Sequence, residues 1–210
     1  MNPDLKAVLF DLDGTLLDSF SAHYGAYEIM FAHFGIELVK KRFLSTYSPN
    51  WYETYQAFGL PEKHWDSANR LWLEAMEKNH TLLFPGVAEI LAILHRRYTL
   101  GLVTSGSKSR VTTDLARTQI EHLFSIVVTG DDIQKPKPSP EGLNLALLEL
   151  GVRPGETVYI GDALADYEMA LAAGVSFIGV KSDFANLNSD DPSYQVYPIK
   201  HLPDLLPSGR

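Results

Sequence analysis

The sequence predicts an α/β fold: a doubly wound parallel sheet with a small α-helical domain inserted near its start. Three observations predict it. Short apolar runs that end in polar turns recur along the chain, as buried strands of a parallel sheet do. From Pro85 onward these runs alternate with helical segments, which is the pattern of βαβ units. Between Asp18 and Leu83 the composition changes, because 13 of the chain's 10 Phe, 10 Tyr and 3 Trp lie there, including all three tryptophans. That density supports a separate helical core.

Val8-Leu9-Phe10 is the first buried run, and it leads into Asp11-Leu12-Asp13-Gly14-Thr15. A helix is expected from Ser21 to Phe34, where Tyr24, Tyr27, Phe31 and Phe34 fall at helical spacing and Gly35 ends the pattern. The pattern stays helical but broken to Phe84, interrupted at Ser48-Pro49-Asn50 and Gly59-Leu60-Pro61. A second helix is expected over Asp66 to Asn79, with Ala68, Leu71, Trp72 and Ala75 on one face, and no strand is convincing in this region. Pro85-Gly86 marks the return to the main domain, followed by a helix face of Val87, Ile90, Leu91 and Leu94. Strands are then expected over Tyr98–Val103, Ser125–Thr129, Thr157–Ile160 and Val175–Val180. The helices between them run to Thr118, from Ser139 to Leu150 where Gly151 stops the helix, and from Leu164 to Ala172. The tail from Lys181 is loop-rich, with a short strand near Gln195-Val196-Tyr197 and a short closing helix.

The chain has 210 residues, 45% of them hydrophobic and 21% charged, enough for one domain with an insertion. It has no cysteine, which excludes disulfides, thiolate catalysis and Cys-based zinc sites. No secretory h-region or membrane-length apolar run appears, so a cytoplasmic protein is expected. The net charge of −8 argues against a general nucleic-acid or membrane-surface binder, and no feature marks an obligate protein partner. An anionic substrate would need local attraction from a metal ion, a lysine or a helix N-terminus.

Four polar clusters follow the expected strands. In open α/β sheets that is where ligands bind. Asp11 and Asp13, two apart, point the same way from a strand end, and such carboxylates are costly without a cation or a proton. Thr104, with the backbone N–H groups of Ser105 and Gly106 before a helix, forms an anion cradle. Lys135-Pro136-Lys137-Pro138-Ser139-Pro140 is a loop stiffened by three prolines, able to hold an ammonium over the carboxylates. Gly161-Asp162 ends another strand, where Asp162 can reach a hard cation. Asp166 fits a second ligand, a water-mediated ligand or a partner for the lysine.

In this order the clusters resemble the four motifs of the haloacid dehalogenase-like (HAD) superfamily. The first is Asp-x-Asp-Gly-Thr, the second a strand ending in Thr or Ser, the third a lysine in a Lys-Pro-x-Pro context, and the fourth Gly-Asp with a second Asp four residues on. The lysine fits two registers. Gly151, 14 residues after Lys137, matches the family's spacing and favours Lys137 over Lys135. The region from Phe124 to Val180 is most similar to phosphoglycolate-phosphatase-like and pyrophosphatase-like members.

The resemblance implies a Rossmann-like core over 1–17 and 84–210, and a helical cap of the C1 type over 18–83. It implies Mg²⁺ held by Asp11, Asp13 through its carbonyl, and Asp162. It also implies Asp11 as nucleophile, Asp13 as acid and base, and Thr104 and Lys137 on the transferring oxygens. Asp166 would stand behind the metal and the lysine. The expected activity is hydrolysis of a small phosphorylated metabolite through an aspartyl-phosphate. Two cap residues are weaker candidates. His23 stands twelve residues after Asp11, where sugar-phosphate mutases and some sugar phosphatases carry a histidine. Arg42, in Lys40-Lys41-Arg42, would be a contact for a second anionic group. A mutase of the β-phosphoglucomutase type and a catalytically silent binding protein are the alternatives.

Overall fold

The computed structural model describes residues 4–48, 50–78, 81–181, 187–188 and 190–207. Pro49 and Asn79, named above as part of a break and as a helix end, lie outside this set, as does part of the tail after Lys181.

The main sheet has six strands: β1 (Ala7–Phe10), β4 (Thr99–Val103), β5 (Ile126–Val128), β6 (Thr157–Gly161), β7 (Ser176–Val180) and β8 (Val196–Tyr197). Their order across the sheet is β5-β4-β1-β6-β7-β8, and every pair is parallel. Strand β1 lies at the centre, with Ala7 to Phe10 opposite Thr99 to Leu102 on one side and Thr157 to Ile160 on the other. The chain first builds outward from β1 to β5. It then crosses back and builds outward through β6, so the order reverses beside β1, where ligands bind in such sheets.

Alternation along β1 assigns its side chains to two helical layers. Val8 and Phe10 pack with Val87, Ile90, Leu91 and Leu94 of α5 (Val87–His95) and Val111 and Leu115 of α6 (Lys108–Thr118). Leu9 faces the opposite layer, with Leu143, Ala146 and Leu147 of α7 (Glu141–Leu150) and Met169 and Ala170 of α8 (Leu164–Ala173). All four β1 residues are fully buried. Each large apolar side chain so buried contributes about 1.5–3 kcal/mol, which anchors the strand end where the acidic pair emerges.

The cap contains α1 (Phe20–His33), α2 (Lys40–Thr46), α3 (Trp51–Ala57) and α4 (Trp65–Glu77). Tyr27, Met30, Phe31, Phe43, Tyr55, Ala68 and Trp72 form an apolar cluster distinct from those of the sheet. Tyr27 alone meets the rings of Phe31, Phe43, Tyr47, Tyr55 and Trp72. One element departs from the sequence expectation. The chain enters and leaves the cap through an antiparallel pair of two-residue strands, β2 (Leu17–Asp18) and β3 (Leu82–Leu83). Such a pair is too short for any periodicity to announce it, and its partners are far apart in sequence. Gly14, at φ 77°, turns the chain back so that its N–H reaches the Leu17 carbonyl at 2.9 Å.

Candidate active site

The carboxyl ends of the three central strands converge. Asp11 follows β1 and its N–H bonds to the Ile160 carbonyl of β6 at 2.8 Å. Thr104 follows β4 and is tied to Val128 of β5 at 3.0 Å. Asp162 follows β6 and is 2% exposed. Parallel pairing in register therefore brings together three side chains that are far apart in sequence.

Lys137 completes the centre. Its ammonium donates to Asp11 Oδ1 at 2.5 Å, to Asp166 Oδ1 at 2.7 Å and to the Tyr159 hydroxyl at 2.8 Å, and the residue is 3% exposed. The Tyr159 hydroxyl in turn donates a hydrogen bond to the Val103 carbonyl at 2.9 Å. Lys135 is exposed, and its N–H bonds to Glu141 at the start of α7. The proline loop thus presents Lys137, not Lys135, to the carboxylates. Asp166 spends both oxygens inside the protein. Oδ1 takes Lys137, and Oδ2 takes the N–H groups of Asp162 and Ala163 at 3.2 and 3.0 Å. Of the three roles open to Asp166, this geometry favours partner of the lysine. Gly161 leaves the space Asp166 occupies, because a Cβ there would lie 2.5 Å from its Oδ2.

Carboxylate oxygens of Asp11, Asp162 and Asp166 lie within 4.8 Å of one another. A buried set of hard oxygen donors suits Mg²⁺, which takes one or two carboxylates with water and phosphate oxygens completing its shell. The Thr15 hydroxyl steadies Asp162 Oδ1 at 3.3 Å. On the other side, Thr104 Oγ1 accepts the N–H of Gly106 at 3.2 Å, closing the cradle loop.

A family profile described as "Haloacid dehalogenase-like hydrolase" matches residues 8–180. The chain belongs to this family. It is 31% identical over 207 residues to a pyrophosphatase, PpaX, of Bacillus pumilus, covering 96% of this chain and 95% of that protein. It is 31% identical over 218 residues to a phosphoglycolate phosphatase of Chromobacterium violaceum, covering 98% of each. A haloacid dehalogenase-like hydrolase of Bacteroides fragilis shares the fold with a TM-score of 0.86 at 24% identity, covering 96% of this chain and 100% of that one.

The cleft of this hydrolase has a sheet-side floor of Asp11, Asp13, Thr104, Ser105, Gly106 and Asp162, and a roof of His23, Tyr27, Tyr47, Trp51 and Trp72 from the cap. The sequence-predicted core residues are therefore gathered in one place. His23 is gathered with them, its Nε2 3.2 Å from Asp13 Oδ1 and its ring edge-on to Trp72. Arg42 is not. It stacks over Phe58 at 4.8 Å and donates to the Ala57 carbonyl at 2.5 Å, within the cap. Lys40 likewise lies over the Phe20 ring. Most of the cap's aromatic rings build its core, and four of them line the cleft.

Sequence reasoning missed Arg110. From the first turns of α6 its guanidinium grips Asp13, with Nη1 3.1 Å from Oδ1 and Nη2 on Oδ2, while Nη1 also meets Asp114 at 3.0 Å. The available signal was faint: a basic residue just inside a helix that follows an anion cradle, with an acid four residues later.

The local fields differ between the two aspartates. Burial pushes the Asp11 carboxyl up to about 7, with the Lys137 ammonium pulling it down and Asp166 adding to the rise. Burial alone would raise Asp13 too, but Arg110 and His23 outweigh it and hold Asp13 well below the usual carboxylate range. Lys137 is desolvated, yet Asp11 and Asp166 raise it above its ordinary value, so it stays charged.

Among the described residues no helix is long and apolar enough to cross a membrane.

Proposed function

We propose that this hydrolase of phosphoric esters is a Mg²⁺-dependent phosphatase of small phosphorylated metabolites. The substrate class is phosphoglycolate-like phosphomonoesters or pyrophosphate, and the place of action is the cytoplasm. The observation that carries the reading is the Asp11–Lys137–Asp166 arrangement, with Asp162 alongside and the Thr104–Gly106 cradle opposite. Buried carboxylates packed this closely have little structural use. They are suited to a site that receives a cation and a phosphoryl group. The activities of the two relatives, pyrophosphatase and phosphoglycolate phosphatase, support the substrate class.

In this reading Asp11 attacks phosphorus in line and becomes an aspartyl-phosphate, which divides the hydrolysis into two easier steps. Asp13 gives a proton to the leaving oxygen and later takes one from water. Its contacts with Arg110 and His23 hold it ionised, the form needed for the second step. The first step requires Asp13 to part from Arg110 and take a proton from solvent, and the proton taken from water in the second step restores that acid form. Thr104 and the N–H groups of Ser105 and Gly106 receive phosphoryl oxygens, and Lys137 keeps Asp11 in place. Mg²⁺, held by Asp11, Asp162 and the Asp13 carbonyl, would neutralise phosphate charge. The aromatic roof excludes water.

The test is Mg²⁺-dependent phosphate release over a panel of phosphorylated metabolites, with Asp11→Asn as control. Release from a small set, lost in Asp11→Asn, is expected. Release that survives in Asp11→Asn refutes the assignment. His23 beside Asp13 supports a second reading, a sugar-phosphate mutase, which predicts interconversion of glucose-phosphate isomers in place of release.

A further inference from the structure

We propose that Arg110 is a specificity-determining residue that binds a second anionic group on the substrate's leaving group, and that Asp114 positions it to do so. The inference rests on the phosphatase reading for where the leaving group lies.

Of the described residues lining the cleft, Arg110 alone carries a fixed positive charge. Its side chain is 10% exposed. A guanidinium offers five N–H donors in a planar fork. Asp13 occupies the Nη1 and Nη2 end, and Asp114 takes a second bond from Nη1. The Nε–H is buried without a hydrogen-bond partner. A buried donor left unpaired is costly, and one on a residue that lines the cleft is available to a ligand. Nη2 also lies against the open side of Gly106, where any Cβ would overlap it. The guanidinium therefore sits on the cradle loop itself.

Position then selects the ligand. Asp13 serves the leaving oxygen, so whatever is bonded one or two atoms beyond that oxygen comes against the groups that touch Asp13. Arg110 is one of those groups. A carboxylate or a second phosphoryl there would accept from the Nε–H and the second Nη2 hydrogen, the edge of the guanidinium that Asp13 and Asp114 leave open. Without Arg110 such an anion would face Asp11, Asp13 and Asp162 across the cleft.

Asp114 is buried on the same helix and is not among the described residues that line the cleft. It holds Arg110 Nη1, and is itself held by the Thr81 hydroxyl at 3.1 Å and Arg117 Nη2 at 2.6 Å. Thr81 comes directly before β3, the strand by which the chain leaves the cap. Asp114 thus fixes the guanidinium relative to both the core helix and the cap's return strand. It is a positioning residue.

The experiment compares two unreactive probes, methylphosphonate and phosphonoacetate, which differ by a carboxylate. Binding to the whole protein with Mg²⁺ is followed by fluorescence of the cap tryptophans, two of which line the cleft. Wild type should bind phosphonoacetate at least about tenfold more tightly, as expected for a charge-assisted bidentate contact. Arg110→Met should erase that gain, bringing the ratio of the two affinities to within about threefold of one, whatever the loss common to both probes. Asp114→Asn should reduce the gain without weakening methylphosphonate. If Arg110→Met does not fold, Arg110→Lys keeps the charge without the fork and should cut the gain by at least about threefold. No gain in wild type, including no binding of either probe, overturns the proposal. So does a gain that survives in the arginine variants. Absence of phosphate release from the metabolite panel would sink the phosphatase reading and leave this binding result standing.

Discussion

Lys137→Met removes the one ammonium that meets Asp11, Asp166 and Tyr159, at 2.5, 2.7 and 2.8 Å. Two carboxylates that are nearly inaccessible to water then lose their compensating charge. Removing one partner of a buried pair costs about 3–5 kcal/mol. For a chain of this length that is a fall in Tm of about 6–20 °C. The fall should depend on pH, with a definite sign. Burial already raises Asp11 to about 7, and loss of the lysine raises it further. A carboxyl whose folded pKa lies above its unfolded value contributes stability at low pH that is lost as pH rises. Between the unfolded value near 3.9 and the raised value, the loss amounts to about 1.4 kcal/mol per pH unit. Wild type shares this loss up to about pH 7, so metal-free melts by circular dichroism at pH 6 and pH 8 should show a larger deficit at pH 8, by about 1 kcal/mol. Lys135→Met, at an exposed position, should stay within about 0.5 kcal/mol of wild type at both. A Lys137→Met deficit below about 1 kcal/mol, or one equal at the two pH values, would refute the reasoning.

Gly161→Ala should push Asp166 off Lys137, because its Cβ would meet the carboxylate at 2.5–2.6 Å. Overpacking of about 1–3 kcal/mol is expected in melts, with turnover reduced more than stability alone explains, and wild-type turnover would contradict the role given to Asp166. Glu156 is held well below its ordinary value by Arg153 first and Lys6 second. Its contribution to stability is present above the unfolded value and lost as pH falls, so Glu156→Gln should flatten the acid limb of the stability curve below pH 5. A variant as acid-sensitive as wild type would count against it.

The sheet was legible because parallel strands are buried on both faces and read as continuous apolar runs. Val8–Phe10, Tyr98–Val103 and Thr157–Ile160 each ended within one or two residues of the observed strand. Their polar ends were legible for the same reason, since Asp11, Thr104 and Asp162 break runs that are otherwise apolar. Lys137 could be separated from Lys135 only by spacing, and the structure supplies the physical ground in its burial among carboxylates. Arg110 was illegible because Lys108-Ser109-Arg110 reads as a solvated helix start, and only folding against Asp13 buries it. Arg42 illustrates the reverse. A charge run suggested an anion contact, yet its guanidinium is occupied by Phe58 and the Ala57 carbonyl. The strand pair Leu17–Asp18 and Leu82–Leu83 depends wholly on the cap bringing its two ends together.

The most direct test of the account is whether phosphorus becomes bonded to Asp11 during turnover. The enzyme is mixed with Mg²⁺ and the best substrate of the panel, quenched in acid within the first turnovers, digested and analysed by mass spectrometry. A phosphoryl adduct on the peptide containing Asp11, absent from Asp11→Asn, is the predicted result. Turnover with no adduct at Asp11, or an adduct on another side chain of the cleft such as His23 or Ser105, would contradict it.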